Sequence, residues 1–176
     1  AHLLRELPIQ SVPLAAVGVP LLAQQLQQQL GDYGFAVHEL HSLAQQAGVT
    51  NAYAKPATLG VDRWLGLLAA RSQLSAAALI VDAGTAMTLD MLDAKGLHQG
   101  GLIVPGLRML RRSLHSNTAL LPVSEGSDCQ LGQNTQQAIA AGTLLALISV
   151  LESTYRRQLA LYPSLTCVIT GGDAEL

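Results

Sequence analysis

The sequence has few charged residues: Asp, Glu, Lys and Arg make up 12% of its 176 positions, whereas hydrophobic residues make up 49%. The formal net charge is −2, and no run of Lys or Arg alternates with aromatic residues. The chain therefore lacks the basic surface typical of nucleic-acid binding, and we expect no nucleic-acid partner. A mean hydropathy of +0.32 leaves little polar material to cover a monomer, which favours a buried subunit interface.

Cysteines and long apolar runs are also scarce. Cys129 and Cys167 are far apart and form no CxxC pair, so we interpret them as free thiols of a reducing cytoplasm. No His or Cys stands at ligand spacing beside them, which argues against a metal site there. The apolar runs are interrupted before they reach the roughly 20 residues of a membrane span, and no signal-like leader opens the chain. We expect no membrane partner.

The first half of the chain alternates strand and helix signals. Residues 14–19 (LAAVGV) predict a buried strand, residues 20–30 a helix with a solvated Gln-rich face, and residues 35–40 a second strand. The order β, α, β predicts a parallel sheet covered by helices. Residues 50–60 predict a surface loop, and residues 61–74 a helix with Asp62 in its first turn.

The second half predicts a hairpin, two helices and a last strand. In chain order these are hairpin arms at 79–81 and 87–92, a turn at 93–96, chain breaks at 100–101 and 105–106, helices at 107–115 and 134–157, and a strand at 166–170 that ends in Gly-Gly-Asp.

The turn between the hairpin arms reads Asp82-Ala83-Gly84-Thr85. Glycine allows the backbone to approach a bound group, amides and the Thr85 hydroxyl can donate hydrogen bonds to phosphate oxygens, and Asp82 suits a cation. A β-turn with an Asx hydrogen bond explains the same residues without function. Both interpretations stay open on this motif alone.

A second motif is Gly60-Val61-Asp62-Arg63 at the start of a predicted helix. Asp62 could accept a proton from an alcohol while Arg63 neutralises developing phosphoryl charge. Alternatively, Asp62 caps the helix and Arg63 forms a surface ion pair. Spacing does not decide between the two.

The order of the motifs resembles the phosphate and adenosine turns of the actin-like nucleotide-binding fold, and more specifically the type III pantothenate kinases. Seven motifs occur in that family's order. They are residues 51–53 (NAY), 60–64 (GVDRW), 82–86 (DAGTA), 100–106 (GGLIVPG), 118–122 (TALLP), 131–135 (LGQNT) and 170–173 (TGGD).

The resemblance implies a cytoplasmic homodimeric kinase that uses ATP to phosphorylate pantothenate, the first step of coenzyme A biosynthesis. It also implies Mg²⁺ or another divalent cation, and K⁺ or NH₄⁺. No Walker Gly-Lys-Ser/Thr run is present, so we hypothesise that the monovalent cation takes over part of the work of a phosphate-binding Lys.

The family's functional positions carry over onto matching residues of this chain. Asp62 matches the catalytic aspartate, which we expect mainly to align the substrate hydroxyl. Asp82 matches a monovalent-cation ligand, and Gly84 and Thr85 match ATP contacts. The matched pantothenate-binding positions are Tyr53, Gly60, Val61, Asp62 and Arg63, together with Thr135 from the partner subunit.

The implied fold is α/β, an actin-like (ribonuclease H-like) architecture of two similar domains with mixed sheets flanked by helices. We expect residues 1–76 to belong to the first domain and residues 77–176 to the second. The family's Asp-x-Gly-Asn-Thr/Ser loop is not found before Leu14, and the sequence stops just after Gly-Gly-Asp. We expect both ends to be missing, and Asn117 stands where some members carry a substrate-proximal histidine.

Several residues receive structural interpretations. Trp64 is expected to pack a helix rather than stack on a ligand. His38, His41, His98 and His115 show no ligand spacing and are expected on the surface or in loops. Two rival functions stay open: a non-catalytic dimeric relative with a regulatory or binding role, and another actin-fold sugar or acetate kinase.

Overall fold

The computed structural model describes residues 11–18, 20–117, 122, 126 and 128–175. Eight strands and four α-helices occur within these residues. In chain order they are β1 Ser11–Leu14, α1 Pro20–Asp32, β2 Ala36–Glu39, β3 Gln45–Gln46, β4 Val49–Thr50, a 3-10 turn Pro56–Thr58, α2 Val61–Gln73, β5 Ala78–Ala83, β6 Ala86–Leu92, β7 His98–Pro105, α3 Leu107–Asn117, α4 Thr135–Leu161 and β8 Thr166–Thr170.

The N-terminal part is a β-α-β unit, as the sequence predicts. β1 and β2 pair in parallel, α1 connects them, and residues 24–29 of the Gln-rich helix are exposed. The predicted strand at residues 14–19 is wrong, because β1 ends at Leu14 and residues 15–18 form an exposed connection. Gly18, in this connection, has a φ of 111°, a conformation that glycine adopts without strain.

The main sheet has the strand order β7-β6-β5-β8. β6 is antiparallel to both of its neighbours, and β8 is parallel to β5. The predicted hairpin, its 93–96 turn and the last strand are therefore confirmed. The parallel pair needs a crossover, which α3 and α4 supply, so the sheet is mixed and flanked by helices.

The two faces of this sheet carry separate hydrophobic clusters. Helix α2 covers one face, where Trp64, Leu67 and Ala70 pack against Ala78, Ile80 and Leu92. Helix α4 covers the other face, where Leu147, Leu151 and Tyr155 pack against a cluster that includes Leu79, Val81 and Leu89. Trp64 is only 1% exposed, which confirms its predicted packing role.

Gly100 and Gly101 lie inside β7, so the predicted chain break at these residues is wrong. The pairing of β6 with β7 shifts between Asp90 and Leu92: Asp90 pairs with Gly101, and Leu92 pairs with His98. Between these two pairs, Met91 of β6 faces both Gln99 and Gly100 of β7, and this extra residue defines a β-bulge. At the bulge the backbone of residue 100 has a φ of 98°, which residues other than glycine seldom adopt. Gly100 allows this conformation because it has no Cβ.

Helix α4 is the one helix within the described ranges that is long and apolar enough to cross a membrane by length and composition alone. Core helices of water-soluble proteins pass the same test, and one side of α4 packs on the sheet. The exposed large apolar residues of α4 include Leu145, Ile148 and Leu161.

Candidate active site

The 51–60 loop is folded around the side chain of Asn51. Its amide donates to the carbonyls of Leu43 and Pro56 at 3.2 and 3.3 Å, and its Oδ1 accepts the N–H of Tyr53 at 2.9 Å. These bonds fix where the loop carries Tyr53. They give Asn51, the first residue of the NAY motif, a clear physical role.

Arg63 does not form the surface ion pair that the structural interpretation predicted. It is buried, and its guanidinium makes a two-pronged contact with Asp90 of β6: Nε donates to Oδ2 at 2.7 Å and Nη2 donates to Oδ1 at 2.6 Å. The remaining terminal nitrogen, Nη1, donates to the hydroxyl of Tyr53 at 3.0 Å. Arg63 thus links the sheet to the 51–60 loop.

His98 is also buried, so its predicted place on the surface or in a loop is wrong, whereas His38, His41 and His115 are exposed. Its Nε2 lies 2.9 Å from Asp90 Oδ1. The β-bulge explains this position. Alternation along a regular strand would place His98 on the face opposite to Gly101, and the extra residue returns it to the face that Asp90 occupies.

The charges of this cluster stabilise each other. Burial alone would raise the pKa of Asp90, but hydrogen bonds from His98 and Arg63 and the Arg63 charge outweigh it and hold the pKa below its usual value. Burial alone would lower the pKa of Arg63, but bonding to Asp90 and Tyr53 and the Asp90 charge raise it instead. The pair is therefore ionised.

Tyr53 completes the cluster. Its ring is stacked on His98 with ring centres 6.1 Å apart, and the Arg63 guanidinium carbon lies 5.8 Å from its ring centre. Gly101 of β7 lies against the Asp90 carboxylate and Arg63 Nη2, where a Cβ would collide with both. The buried polar cluster therefore consists of Tyr53, Arg63, Asp90 and His98, and we call it the Arg63 cluster.

Asp62 lies next to the cluster but is exposed. Its Oδ1 accepts the N–H of Arg63 at 2.8 Å, so the carboxylate sits at the N-terminus of α2. Gly60, the residue before the helix, lies so close to this oxygen that a Cβ there would collide with it. The first turn of α2 favours negative charge at this position through its backbone dipoles.

The direction of α2 brings its first turn toward the hairpin turn. Arg63 near the start of α2 contacts Asp90, and Arg71 in its last turn donates to the carbonyl of Ala94 at 3.1 Å. Helix and strand β6 therefore run in the same direction. The start of α2, with Asp62, points toward the end of the sheet where the 82–85 turn lies.

Asp82 lies on the same face of the sheet. Ile80 pairs with Asp90 and Asp82 pairs with Thr88, so these side chains fall on the face that α2 covers. Asp82 is partly buried, and the described parts of the chain place no hydrogen-bond donor on its carboxylate. Asp82 Oδ1 and the Ala83 carbonyl oxygen both lie next to Gly171, so the carboxylate and this carbonyl are close to each other.

Three glycine-containing segments converge at this end of the sheet. Gly106 donates its N–H to the carbonyl of Thr85 at 2.9 Å, and Asp173 donates its N–H to the carbonyl of Ala83 at 2.9 Å. A Cβ on Gly106 would collide with the carbonyl of Gly84, and one on Gly171 would collide with the Ala83 carbonyl and Asp82. The DAGT turn, the Pro-Gly corner and the Gly-Gly-Asp end thus form one surface.

Thr135 lies elsewhere. It is the first residue of α4, after the N-cap Asn134, whose side chain accepts the N–H of Gln137 at 3.0 Å. It lines an open groove of about 670 Å³ between α3 and α4, and none of the other predicted site residues lines that groove. The 118–122 motif falls outside the described residues except for Pro122.

Asp90 and His98 are the two residues that sequence reasoning missed. One signal was available: Asp90 is the lone acid within the apolar stretch 86–92, and a buried carboxylate requires partners. The buried His98 carried no such signal because the bulge that orients it is a tertiary feature. Among the described residues, no group of three or more His, Cys, Asp or Glu forms a metal site.

Comparisons with known proteins agree with the motifs. A family model described as type III pantothenate kinase matches residues 2–157. Similar proteins, all described as type III pantothenate kinases, come from Aromatoleum aromaticum (41% identity over 87% of this chain), Dechloromonas aromatica (38% over 99%) and Nitrosococcus oceani (40% over 94%). The chain spans 63%, 73% and 66% of the lengths of these relatives, respectively.

A solved structure shares the fold. It is a conserved Baf family protein from Campylobacter jejuni, with a TM-score of 0.63 and 21% sequence identity. The match covers 99% of this chain and 74% of that protein.

Proposed function

Because the chain belongs to the type III pantothenate kinase family, we propose that the protein of which it forms part transfers the γ-phosphoryl group of ATP to pantothenate, the first step of coenzyme A biosynthesis. The observation that carries this proposal is the arrangement of α2. Its first turn presents Asp62 beside the buried Arg63 cluster and points toward the DAGT turn. We propose a cytoplasmic location.

Asp62 is the residue that we assign to the substrate hydroxyl. Phosphoryl transfer passes through a loose transition state, so orientation and charge neutralisation contribute more than the strength of a base. An exposed carboxylate fixed by the N–H of Arg63 has one oxygen held and the other available to accept a hydrogen bond from an alcohol. This geometry supports alignment of a hydroxyl at the start of α2.

The neighbouring residues supply the pantothenate site in this proposal. Gly60, which carries no side chain, precedes the first turn of α2, Val61 begins that turn, and Tyr53 offers its hydroxyl. Because two of the nitrogens of Arg63 contact Asp90, its role toward the substrate is limited to the edge that Nη1 presents beside Tyr53.

The DAGT surface supplies the ATP site in this proposal, with Gly84 and Thr85 as phosphate contacts. A divalent cation would accompany ATP. Asp82 fits K⁺ or NH₄⁺, because its half-buried carboxylate lacks a donor within the described residues and lies beside the Ala83 carbonyl. Oxygen atoms are the ligands that hard cations prefer, and a cation here would supply positive charge near the phosphates.

Thr135 and the groove between α3 and α4 support a homodimer. The groove is open, its walls include Leu110, Leu114 and Ile139, and α4 exposes further apolar residues elsewhere along its length. A second copy that covered these apolar side chains would bring its own Thr135 into the shared region. We propose that Thr135 completes the pantothenate site of the partner subunit.

We also propose that residues 1–76 and residues 77–176 belong to two different domains.

A non-catalytic dimeric relative is the second candidate. The first candidate is favoured by the retained Asp62 and Thr85. The family match removes the sugar or acetate kinase alternative.

The experiment is a coupled ADP-release assay on the full-length protein, with and without pantothenate. We expect pantothenate-dependent ADP release in the presence of Mg²⁺ and K⁺. Asp62→Asn should lower kcat by about 10²-fold or more, because an aligned proton acceptor contributes at least that much. Asp32→Asn, at the exposed end of α1, is the matched control and should keep wild-type activity. Pantothenate-independent ADP release, or none, would contradict the proposal.

A further inference from the structure

We propose that Asp90 and His98 are positioning residues, which together hold Tyr53 and Arg63 in the orientation that binds substrate. This inference rests on the proposed function for the identity of the substrate. It concerns two residues of β6 and β7 that need not touch the substrate themselves. Both are buried, with exposed fractions of 2% and 1%.

His98 forms a bridge with one bond on each side of its ring. Its Nδ1 accepts the backbone N–H of Ala52 at 3.5 Å, and its Nε2 lies 2.9 Å from Asp90 Oδ1. A ring nitrogen that accepts an N–H carries no proton, so the proton of a neutral ring is on Nε2 and is donated to Asp90. The 51–60 loop is thereby tied to the sheet through the imidazole.

The Asp90 carboxylate contacts both His98 and Arg63 and so connects the two side chains. Its Oδ1 accepts from both His98 Nε2 and Arg63 Nη2, and its Oδ2 accepts from Arg63 Nε. This arrangement fixes the plane of the guanidinium, because two parallel N–H···O bonds allow one orientation. Arg63 Nη1 must then point at the Tyr53 hydroxyl.

The orientation of Tyr53 has a chemical consequence. Since its oxygen accepts a hydrogen bond from Arg63 Nη1, its own proton is available for donation. Stacking on His98 holds the ring from a second side. The hydroxyl is therefore presented as a donor to an acceptor oxygen of the substrate, such as a carboxylate or an amide carbonyl.

Two substitutions at position 98 separate the two bonds of the bridge. In His98→Asn, the side-chain oxygen can take the place of Nδ1 and accept from Ala52, but the side chain is too short to reach Asp90. In His98→Gln, the side-chain nitrogen can take the place of Nε2 and donate to Asp90, but the bond to Ala52 is lost. His98→Phe keeps the stacking ring and removes both bonds, and His38→Gln is the exposed control.

The first readouts need no substrate. In the full-length protein, amide exchange of the peptide that contains Ala52 and Tyr53 should be faster in His98→Gln and His98→Phe, and near wild type in His98→Asn. Long-range ¹H–¹⁵N spectra should show a neutral ring protonated on Nε2 that disappears in all three variants. Unchanged exchange in His98→Gln, or a ring protonated on Nδ1 alone, would overturn the bridge.

The second readout is kinetic. We expect the KM for pantothenate to rise about tenfold in His98→Phe and by a smaller factor in the Asn and Gln variants, with the KM for ATP within about twofold of wild type. A purely structural role predicts a lower Tm with an unchanged KM, and that result would overturn the positioning role. If wild type itself lacks pantothenate-dependent turnover, the proposed function fails. The exchange and NMR results still show whether His98 links Ala52 to Asp90.

Discussion

Arg63 and Asp90 form a buried ion pair that joins the first turn of helix α2 to the middle of strand β6, with nitrogen–oxygen distances of 2.7 and 2.6 Å. The two residues are 27 positions apart in sequence. Gly101 on the adjacent strand leaves room for the pair, since a Cβ there would meet both side chains. The contact thus depends on three separate segments, two of which carry family motifs.

Removing the charge of Asp90 should destabilise the fold strongly. Asp90→Asn leaves the Arg63 charge buried without its partner, and breaking such a pair costs about 3–5 kcal/mol of unfolding free energy. Guanidinium unfolding at pH 7 measures this loss. Glu152→Gln is the matched control, because it breaks the exposed i,i+4 pair with Arg156, which contributes about 0.3–0.5 kcal/mol. An equal loss of unfolding free energy in Asp90→Asn and Glu152→Gln would contradict a stabilising role of the buried Arg63–Asp90 pair.

The difference between wild type and Asp90→Asn should depend on pH. The pKa of Asp90 is lowered in the folded state, so its contribution is complete above its unfolded pKa of about 3.9. That contribution is lost as the pH falls through the lower folded pKa. We therefore expect the two unfolding free energies to converge below about pH 4. A constant difference from pH 7 to pH 3 would show that Asp90 does not act through its charge.

The two thiols should differ in reactivity. Cys129 is exposed, whereas Cys167 packs against the cluster under α4, and burial raises the pKa of its thiol. Because the thiolate is the reacting form, Cys129 should alkylate faster by a factor of about ten or more at pH 8. Mass spectrometry after timed iodoacetamide treatment measures both rates, with a denatured sample as control. Equal rates under native conditions would contradict the packing of β8.

Local signals predicted most of the secondary structure. The strand at Thr166–Thr170 and the start of helix α2 at Val61 follow from apolar periodicity and flanking turn residues, both of which are local properties. The wrong prediction at residues 14–19 has a non-local cause. Small apolar residues occur in connections as well as in strands, and only pairing with β2 selects residues 11–14.

The candidate site was predicted only in part. Asp62, Arg63 and Tyr53 were found through their motifs, but the motifs gave no reason for Arg63 to be buried. That reason is Asp90, whose contact with Arg63 requires β6 to lie beneath α2. His98 depends on an irregularity in strand pairing, which alternation patterns do not encode.

Gly106 should not tolerate alanine. A Cβ would collide with the Gly84 carbonyl and approach that of Thr85 to 2.6 Å, and backbone atoms cannot yield as a side chain does. We expect Gly106→Ala to cost about 1–3 kcal/mol of unfolding free energy and to raise the KM for ATP more than that for pantothenate. Gly31→Ala is the control, since a Cβ there would meet no atom of the described residues within 4 Å outside its own stretch of helix. Chemical unfolding and steady-state kinetics measure the two effects. Equal unfolding free energies of Gly106→Ala and wild type would contradict the predicted collision.

The cation assignment of Asp82 leads to a prediction about salt. Asp82→Asn keeps the size of the side chain but removes the charge that would hold K⁺ or NH₄⁺ beside the DAGT turn. Wild-type activity should therefore rise when KCl replaces tetramethylammonium chloride at constant ionic strength, and the variant should need about tenfold more K⁺ or show no activation. Asp32→Asn should behave as wild type. Since ionic strength is fixed, general screening cannot produce the difference. Identical K⁺ titrations of wild type and Asp82→Asn would exclude this carboxylate as the cation ligand.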